Sequence, residues 1–161
     1  MSTEDSRFDS PTLSERDAQH LAAVRETVHM DAIPGLYDRA FPLIFATLDS
    51  AGLAPGGAPL GVVHGEPGTT IDLSVAVPVA APFTPDGDGE VHGETLPAGT
   101  VATLLVRGDY NGLTDAYAFL FEWIAEAGHT PSGVAWEQYL TEPEPGGDPA
   151  LNETLLGVHL A

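Results

Sequence analysis

The plainest alternation of apolar and polar residues lies at 70–80, TIDLSVAVPVA. Ile71, Leu73, Val75, Val77 and Val79 fall on one face there, and Asp72, Ser74, Ala76 and Pro78 on the other. A repeat of two is that of a β-strand. Pro78 has no N–H to give a ladder and is expected at the strand's exposed end. Weaker alternation in LAAVRETVHM, residues 21–30, puts Ala22, Val24, Val28 and Met30 in phase and predicts a second strand. LGVVHGE at 60–66 predicts a short third. Between them, residues 36–51 follow the helical repeat, with Leu36, Ala40, Leu43, Ile44, Leu48 and Ala51 on one face and Thr47 as its polar interruption. Pro34-Gly35 breaks the chain before this helix, and Pro42 is expected to kink it or mark its effective start. Gly52, then Pro55-Gly56-Gly57, end it.

The second half repeats this order. Residues 90–96 and 100–107 are strand candidates around Pro97-Ala98-Gly99, and Asp109 or Asn111 is placed to cap a helix over 112–127. Leu113, Ala116, Tyr117, Leu120, Trp123, Ile124 and Ala127 form its apolar stripe, and Gly128 stops it. A strand at 134–141 puts Ala135, Glu137 and Tyr139 on one face, with Val134, Trp136 and Leu140 on the other. A last strand covers 154–160. Sliding the chain on itself by 76 residues matches Ala40 with Ala116, Phe45 with Phe121, Ala51-Gly52 with Ala127-Gly128, and Glu66-Pro67 with Glu142-Pro143. The expected fold is therefore α+β: a duplicated βαββ unit in a single domain over 19–161. Its halves span about 19–82 and 90–161, and residues 1–18 form a flexible acidic tail. Each half alone covers one face of a small sheet, so the two are expected to merge into one antiparallel sheet flanked by two helices. The repeat breaks where Gly61 and Val63 stand opposite Glu137 and Tyr139: one half has specialised.

Composition narrows the classes. At 161 residues and 43% hydrophobic content the chain can bury a core. It has no cysteine, which removes disulfides, thiolate metal sites and a cysteine nucleophile. No apolar run reaches membrane-spanning length, and the polar start is not a secretory signal, so a cytoplasmic protein without a membrane partner is expected. Asp and Glu number 24 against five Arg and no Lys, a formal charge of −19. Such a surface repels phosphate backbones, and direct nucleic-acid binding is not expected. The acidic coat fits a solvated surface, adaptation to high salt, or the concentration of cationic ligands near a cleft.

Glu137 is the candidate with chemistry. An isolated carboxylate buried among apolar residues costs several kcal/mol, a conflict that a cationic ligand or a raised pKa resolves. Its plain alternative is an exposed glutamate on a half-solvated strand. Tyr139 shares its face. Tyr110, Tyr117, Phe121 and Trp123, with Phe41 and Phe45 from the first helix, are candidate aromatic walls for a flat or cationic ligand, against ordinary core packing. The six histidines are scattered, without ligand spacing, so no metal is expected. Asp86-Gly87-Asp88-Gly89-Glu90 resembles a calcium loop, but the bidentate position of such a loop would fall on Pro97. No phosphate loop or nucleophile elbow is present, and no cofactor is called for.

LPAG at 96–99, the strand ending in RGDY at 107–110, the helix LTDAYAFLFEWI and the closing EQYLTEP resemble the GyrI-like family. The resemblance implies a duplicated βαββ fold with two helices flanking a groove. It also implies binding of bulky, often cationic aromatic molecules through a glutamate on the strand after the second helix. Glu137 matches that glutamate, and Tyr110 the aromatic of the family's G-x-Y turn. Arg107 stands where a histidine is common, and Val158-His159-Leu160 replaces a Pro-containing ending. About 20 residues precede the first predicted strand, too few for a helix-turn-helix, so a freestanding member is expected. The resemblance implies a small hydrophobic or cationic aromatic ligand, or a protein partner such as DNA gyrase. It also brings an alternative: hydrolysis that opens the cyclopropane of DNA-alkylating natural products. There Glu137 would be the general base and Tyr139 or Tyr110 the hydrogen-bond donor.

Overall fold

The computed structural model describes residues 10–65, 68–82, 90–108, 113–141 and 152–161. In chain order these form β1 (Thr12–Arg16), β2 (Gln19–His29), a 3-10 turn (Met30–Ala32), α1 (Ile33–Ser50), β3 (Leu60–His64), β4 (Thr70–Val79), β5 (His92–Leu96), β6 (Gly99–Arg107), α2 (Leu113–Glu126), β7 (Pro131–Tyr139) and β8 (Glu153–Leu160). The class is α+β. Two compact units divide the chain: Arg16–Gly99, and Met1–Glu15 together with Thr100–Ala161.

In the Arg16–Gly99 unit the strand order is β3-β4-β2-β5, and every neighbouring pair is antiparallel. In the other unit the order is β7-β8-β6-β1. Matching β2 with β6, β3 with β7 and β4 with β8 makes the two orders identical, which is the duplication read from the 76-residue offset. The leading strands depart from that reading. Residues 12–16, inside the stretch expected to be a tail, are β1 and lie beside β6, where Thr12 Oγ1 meets Thr103 Oγ1 at 2.9 Å and the Thr100 hydroxyl donates to Glu15. Strand β5, expected with the second half, pairs with β2 from Gln19↔Leu96 to Ala23↔His92. Each repeat thus sends its first strand to the other repeat's unit.

Packing follows the predicted faces. Leu36, Ala40, Ile44 and Leu48 of α1 are buried against Ile71, Leu73, Val75, Val77 and Val79 of β4 and Ala22 and Val24 of β2. Leu43 is exposed and Ala51 is the C-cap, so the buried stripe is narrower than expected. The helix starts at Ile33 with Pro34 in its first turn, where a missing N–H costs nothing, and it continues across Pro42. Met30 leaves β2 for the 3-10 turn and is exposed. Pro78 is buried, not at an exposed end: Leu21 of β2 pairs with it on one side, and the Pro78 carbonyl accepts the Gly56 N–H at 2.8 Å. In the second unit Ala116, Leu120 and Ile124 of α2 pack on Ala102, Leu104 and Val106 of β6 and Leu156 and Val158 of β8.

The two helices end alike. Gly52 at φ +71° and Gly128 at φ +82° take the left-handed conformation. Leu53 then donates to the Leu48 carbonyl at 2.9 Å, and His129 to that of Ile124 at 3.0 Å. Both are six-to-one closures of a Schellman cap. The proposed caps Asp109 and Asn111, and most of the Asp86–Glu90 turn, lie outside the described residues. No described helix is long and apolar enough to cross a membrane.

Ile44 and Leu120 are fully buried at the centres of their helices. Ile44→Ala and Leu120→Ala should each lower unfolding free energy by about 2–5 kcal/mol, the cost of lost contacts plus a cavity. Urea denaturation of the two variants against the parent protein checks this.

Candidate functional site

Alternation along β7 divides its side chains. Trp136 turns to one face, while Ala135, Glu137 and Tyr139 turn to the other, where Ala135 packs against the α2 core. The ladder with β8 sets Glu137 opposite Leu156 and Tyr139 opposite Thr154. The Tyr139 hydroxyl donates to Glu137 Oε1 at 2.8 Å. From α2, the Tyr117 hydroxyl donates to Oε2 at 3.3 Å. One turn further along, Phe121 stacks on Tyr117 with centroids 6.4 Å apart and planes 25° apart. Burial pushes the Glu137 carboxyl above the usual carboxylate range, and the hydroxyls of Tyr139 and Tyr117 oppose that push. The result is one carboxylate, two phenol donors and a half-exposed aromatic shelf within a single unit. Such a set suits a flat cation, and a carboxyl with raised pKa is also suited to take a proton from water.

The first unit repeats the aromatics without the acid. Tyr37, Phe41 and Phe45 stack along α1 with centroids 5.5 and 6.3 Å apart. Phe41 and Phe45 are the 76-residue counterparts of Tyr117 and Phe121, and Phe45 and Phe121 are similarly exposed, at 42% and 40%. At Gly61, the counterpart of Glu137, a β-carbon would overlap the Tyr37 hydroxyl. Tyr37 therefore occupies the space in which a side chain on β3 would begin. It was missed in the sequence, although its spacing of four from Phe41 and eight from Phe45 was visible.

The structure brings together Glu137, Tyr139, Tyr117 and Phe121, and separately Phe41 and Phe45. It does not bring Trp123 to this set. Six residues beyond Tyr117, Trp123 lies about 120° around the helix and packs on the core from the other flank of the buried stripe. Tyr110 lies outside the described residues.

A second polar cluster has no counterpart in the sequence reading. Fully buried Ser74 donates to the Glu94 carboxylate at 2.9 Å, and its oxygen is left to accept from His64 Nε2 at 2.9 Å. His92 Nε2 reaches Glu94 at 2.6 Å. Burial, reinforced by Arg25, holds His64 below the usual histidine range. The network satisfies a buried hydroxyl. Among the described residues no group of three His, Asp or Glu is placed to hold a metal. A shallow depression lined by Val24, Arg25, Glu26, Arg39 and Glu90 is internally neutralised, because Arg39 bridges Glu26 and Glu90.

The model of the GyrI-like small molecule binding domain matches residues 10–157, and the chain belongs to that family. Comparison with curated proteins finds no match. Among solved structures, EcmrR in its DNA complex superposes with a TM-score of 0.80 at 20% identity, over 96% of this chain and 57% of that one. The chain thus spans little more than half of EcmrR. The EcmrR C-terminal domain alone gives 0.79 at 19% identity, over 94% and 97% of the two chains. SAV2435 bound to tetraphenylphosphonium gives 0.67 at 14% identity, over 95% and 94%. A hydrolase from Listeria innocua gives 0.58 at 13% identity, over 94% and 91%. At these identities the likeness is one of fold.

The raised Glu137 pKa has a stability consequence. Between the ordinary carboxyl pKa and the raised folded value, the folded state holds more protons than the unfolded state, so stability falls as pH rises through that window. Glu137→Gln removes the ionisation. It should be at least as stable as the parent protein at pH 7, with its advantage vanishing below the ordinary carboxyl pKa of about 4.3. Urea midpoints at pH 7 and pH 4 check the sign.

Proposed function

We propose that this protein binds bulky aromatic cations and sequesters them, with Glu137 as the electrostatic anchor. The observation that carries the reading is the half-buried carboxylate held by Tyr139 and Tyr117 beside the exposed Phe121 ring. A partly desolvated carboxylate attracts a cation more strongly than one in water. The phenol and phenyl faces add area and cation–π attraction. The fold shared with SAV2435 bound to tetraphenylphosphonium supports that ligand class. The net charge of −19 favours cation encounter. Tetraphenylphosphonium should bind the parent protein, and Glu137→Gln should weaken it about tenfold or more, roughly 1.4 kcal/mol. Binding should also weaken as pH falls through the raised Glu137 pKa, because protonation removes the charge. Isothermal titration of both proteins is the test, and equal affinities would remove Glu137 as the anchor.

The same carboxyl favours one second reading, hydrolysis of a cyclopropane-bearing alkylator. Glu137 would take a proton from water as its oxygen attacks a ring carbon. The ring C–C bond would break, its electrons would pass to the conjugated carbonyl oxygen, and the proton would follow to that oxygen from Glu137, while Tyr139, no longer needed by the protonated carboxyl, turns its hydroxyl to donate there. Likeness in fold to the Listeria innocua hydrolase supports keeping this reading. Incubation with a cyclopropane alkylator should then yield a product heavier by one water in mass spectrometry, and none with Glu137→Gln. Tight binding of unchanged compound leaves sequestration as the function.

A further inference from the structure

The β7–β8 ladder is irregular between Pro131 and Ala135, and regular only from Ala135↔Val158 to Tyr139↔Thr154. Pairing also exists before the irregularity, at Pro131↔Leu160, but in a different register, so the register that presents Glu137 is the one taken up from Ala135 onward. A slip of one residue would turn Glu137 to the opposite face, away from α2. Trp136 is the first large side chain past the irregularity, and it is 2% exposed. It stands opposite Gly157. A β-carbon at Gly157 would overlap the indole, so the ring lies across β8 at the place where glycine leaves room. The indole Nε1–H then donates to Nε2 of His159 at 3.0 Å, two residues along the same face of β8. His159 is itself 5% exposed. Accepting through Nε2 requires that nitrogen to carry no proton, which puts the ring proton on Nδ1. Beyond Glu137 the strand is pinned again: Leu140 donates to the Glu153 carbonyl at 3.0 Å, and Thr141 Oγ1 accepts the Glu153 N–H at 2.6 Å.

We propose that His159 is a positioning residue for Glu137: acting through Trp136, it fixes the register and twist of β7, so that the carboxylate stays within reach of Tyr117 and Tyr139. The functional meaning of this lock rests on the ligand-binding reading of Glu137. A buried Trp–His pair that served packing alone would change global stability and leave the Glu137 environment as it is.

The test reads Glu137 directly. Carboxyl ¹³C NMR on the full chain follows its titration, with the resonance assigned by its loss in Glu137→Gln. The parent protein should titrate above the ordinary glutamate range. His159→Leu, which removes the acceptor, should move the midpoint by about 0.5 unit or more, down where the freed carboxyl regains water and up where it loses only the two phenols. It should also weaken tetraphenylphosphonium binding roughly fivefold or more. His159→Gln, whose amide oxygen accepts the indole N–H, should restore both. If His159→Leu does not fold, Trp136→Phe keeps a buried ring, deletes the donor and carries the same expected shift. An unshifted Glu137 midpoint in a folded variant overturns the proposal, and so does a parent midpoint in the ordinary range. Shifted midpoints in a parent protein indifferent to tetraphenylphosphonium would uphold the positioning role and sink the ligand-binding reading instead.

Discussion

Strand register decides which side chains meet the helix in each unit. Along a strand, neighbouring residues face opposite ways, so a pairing error of one residue exchanges the whole apolar set for the polar one. In the first unit the penalty for such an error is large. Val75 and Val77 would leave the cover of Leu36, Ala40 and Ile44, and Ser74 would lose its contacts with Glu94 and His64. In the second unit the same constraint governs chemistry as well as burial, because Glu137 shares its strand with Trp136. If one is correctly packed, the other is correctly presented.

Glu137 is a compromise between two costs. Full burial without partners would force the carboxyl to stay protonated, and full exposure would leave it an ordinary surface charge. Two phenol hydroxyls return part of the lost hydration while the surrounding protein keeps its pKa raised. The first unit makes no such compromise. Its aromatic row is retained, but Gly61 and the Tyr37 hydroxyl take the place of an acid. Duplication supplied two equivalent frames, and only one carries this carboxylate.

Much of this was legible because it is local. The alternation of β4, the buried stripes of both helices, the glycine caps at 52 and 128, and the shared face of Glu137 and Tyr139 all follow from spacing within one element. The parts that were not legible depend on partners distant in the chain. TLSER at 12–16 is short and mostly exposed, so β1 shows no apolar pattern of its own. Nothing in HGETL says that β5 pairs with β2 rather than β6. Pro78 reads as the exposed end of its strand, yet Leu21 of β2 pairs with it on one side and the Gly56 N–H meets its carbonyl. Trp123 and Tyr117 look alike in a one-dimensional stripe and separate only when the stripe is given width around the helix. The Tyr37–Gly61 contact had half of its signal in the aromatic spacing and the other half in a strand 24 residues away.

The exchanged leading strands bear on how the chain acquires its shape during synthesis. The second unit combines β1, near the start of the chain, with β6, β7 and β8, and Thr12 meets Thr103 across 91 residues. On emerging from the ribosome, β1 has no sheet to join until β6 has been made, so it must wait unpaired while the first unit assembles. A polar, charged strand is well suited to waiting, since it offers little apolar surface to a wrong partner. The blandness that hid TLSER in the sequence thus serves as protection in the nascent chain, and closure across so long a loop makes the second unit the slower to complete.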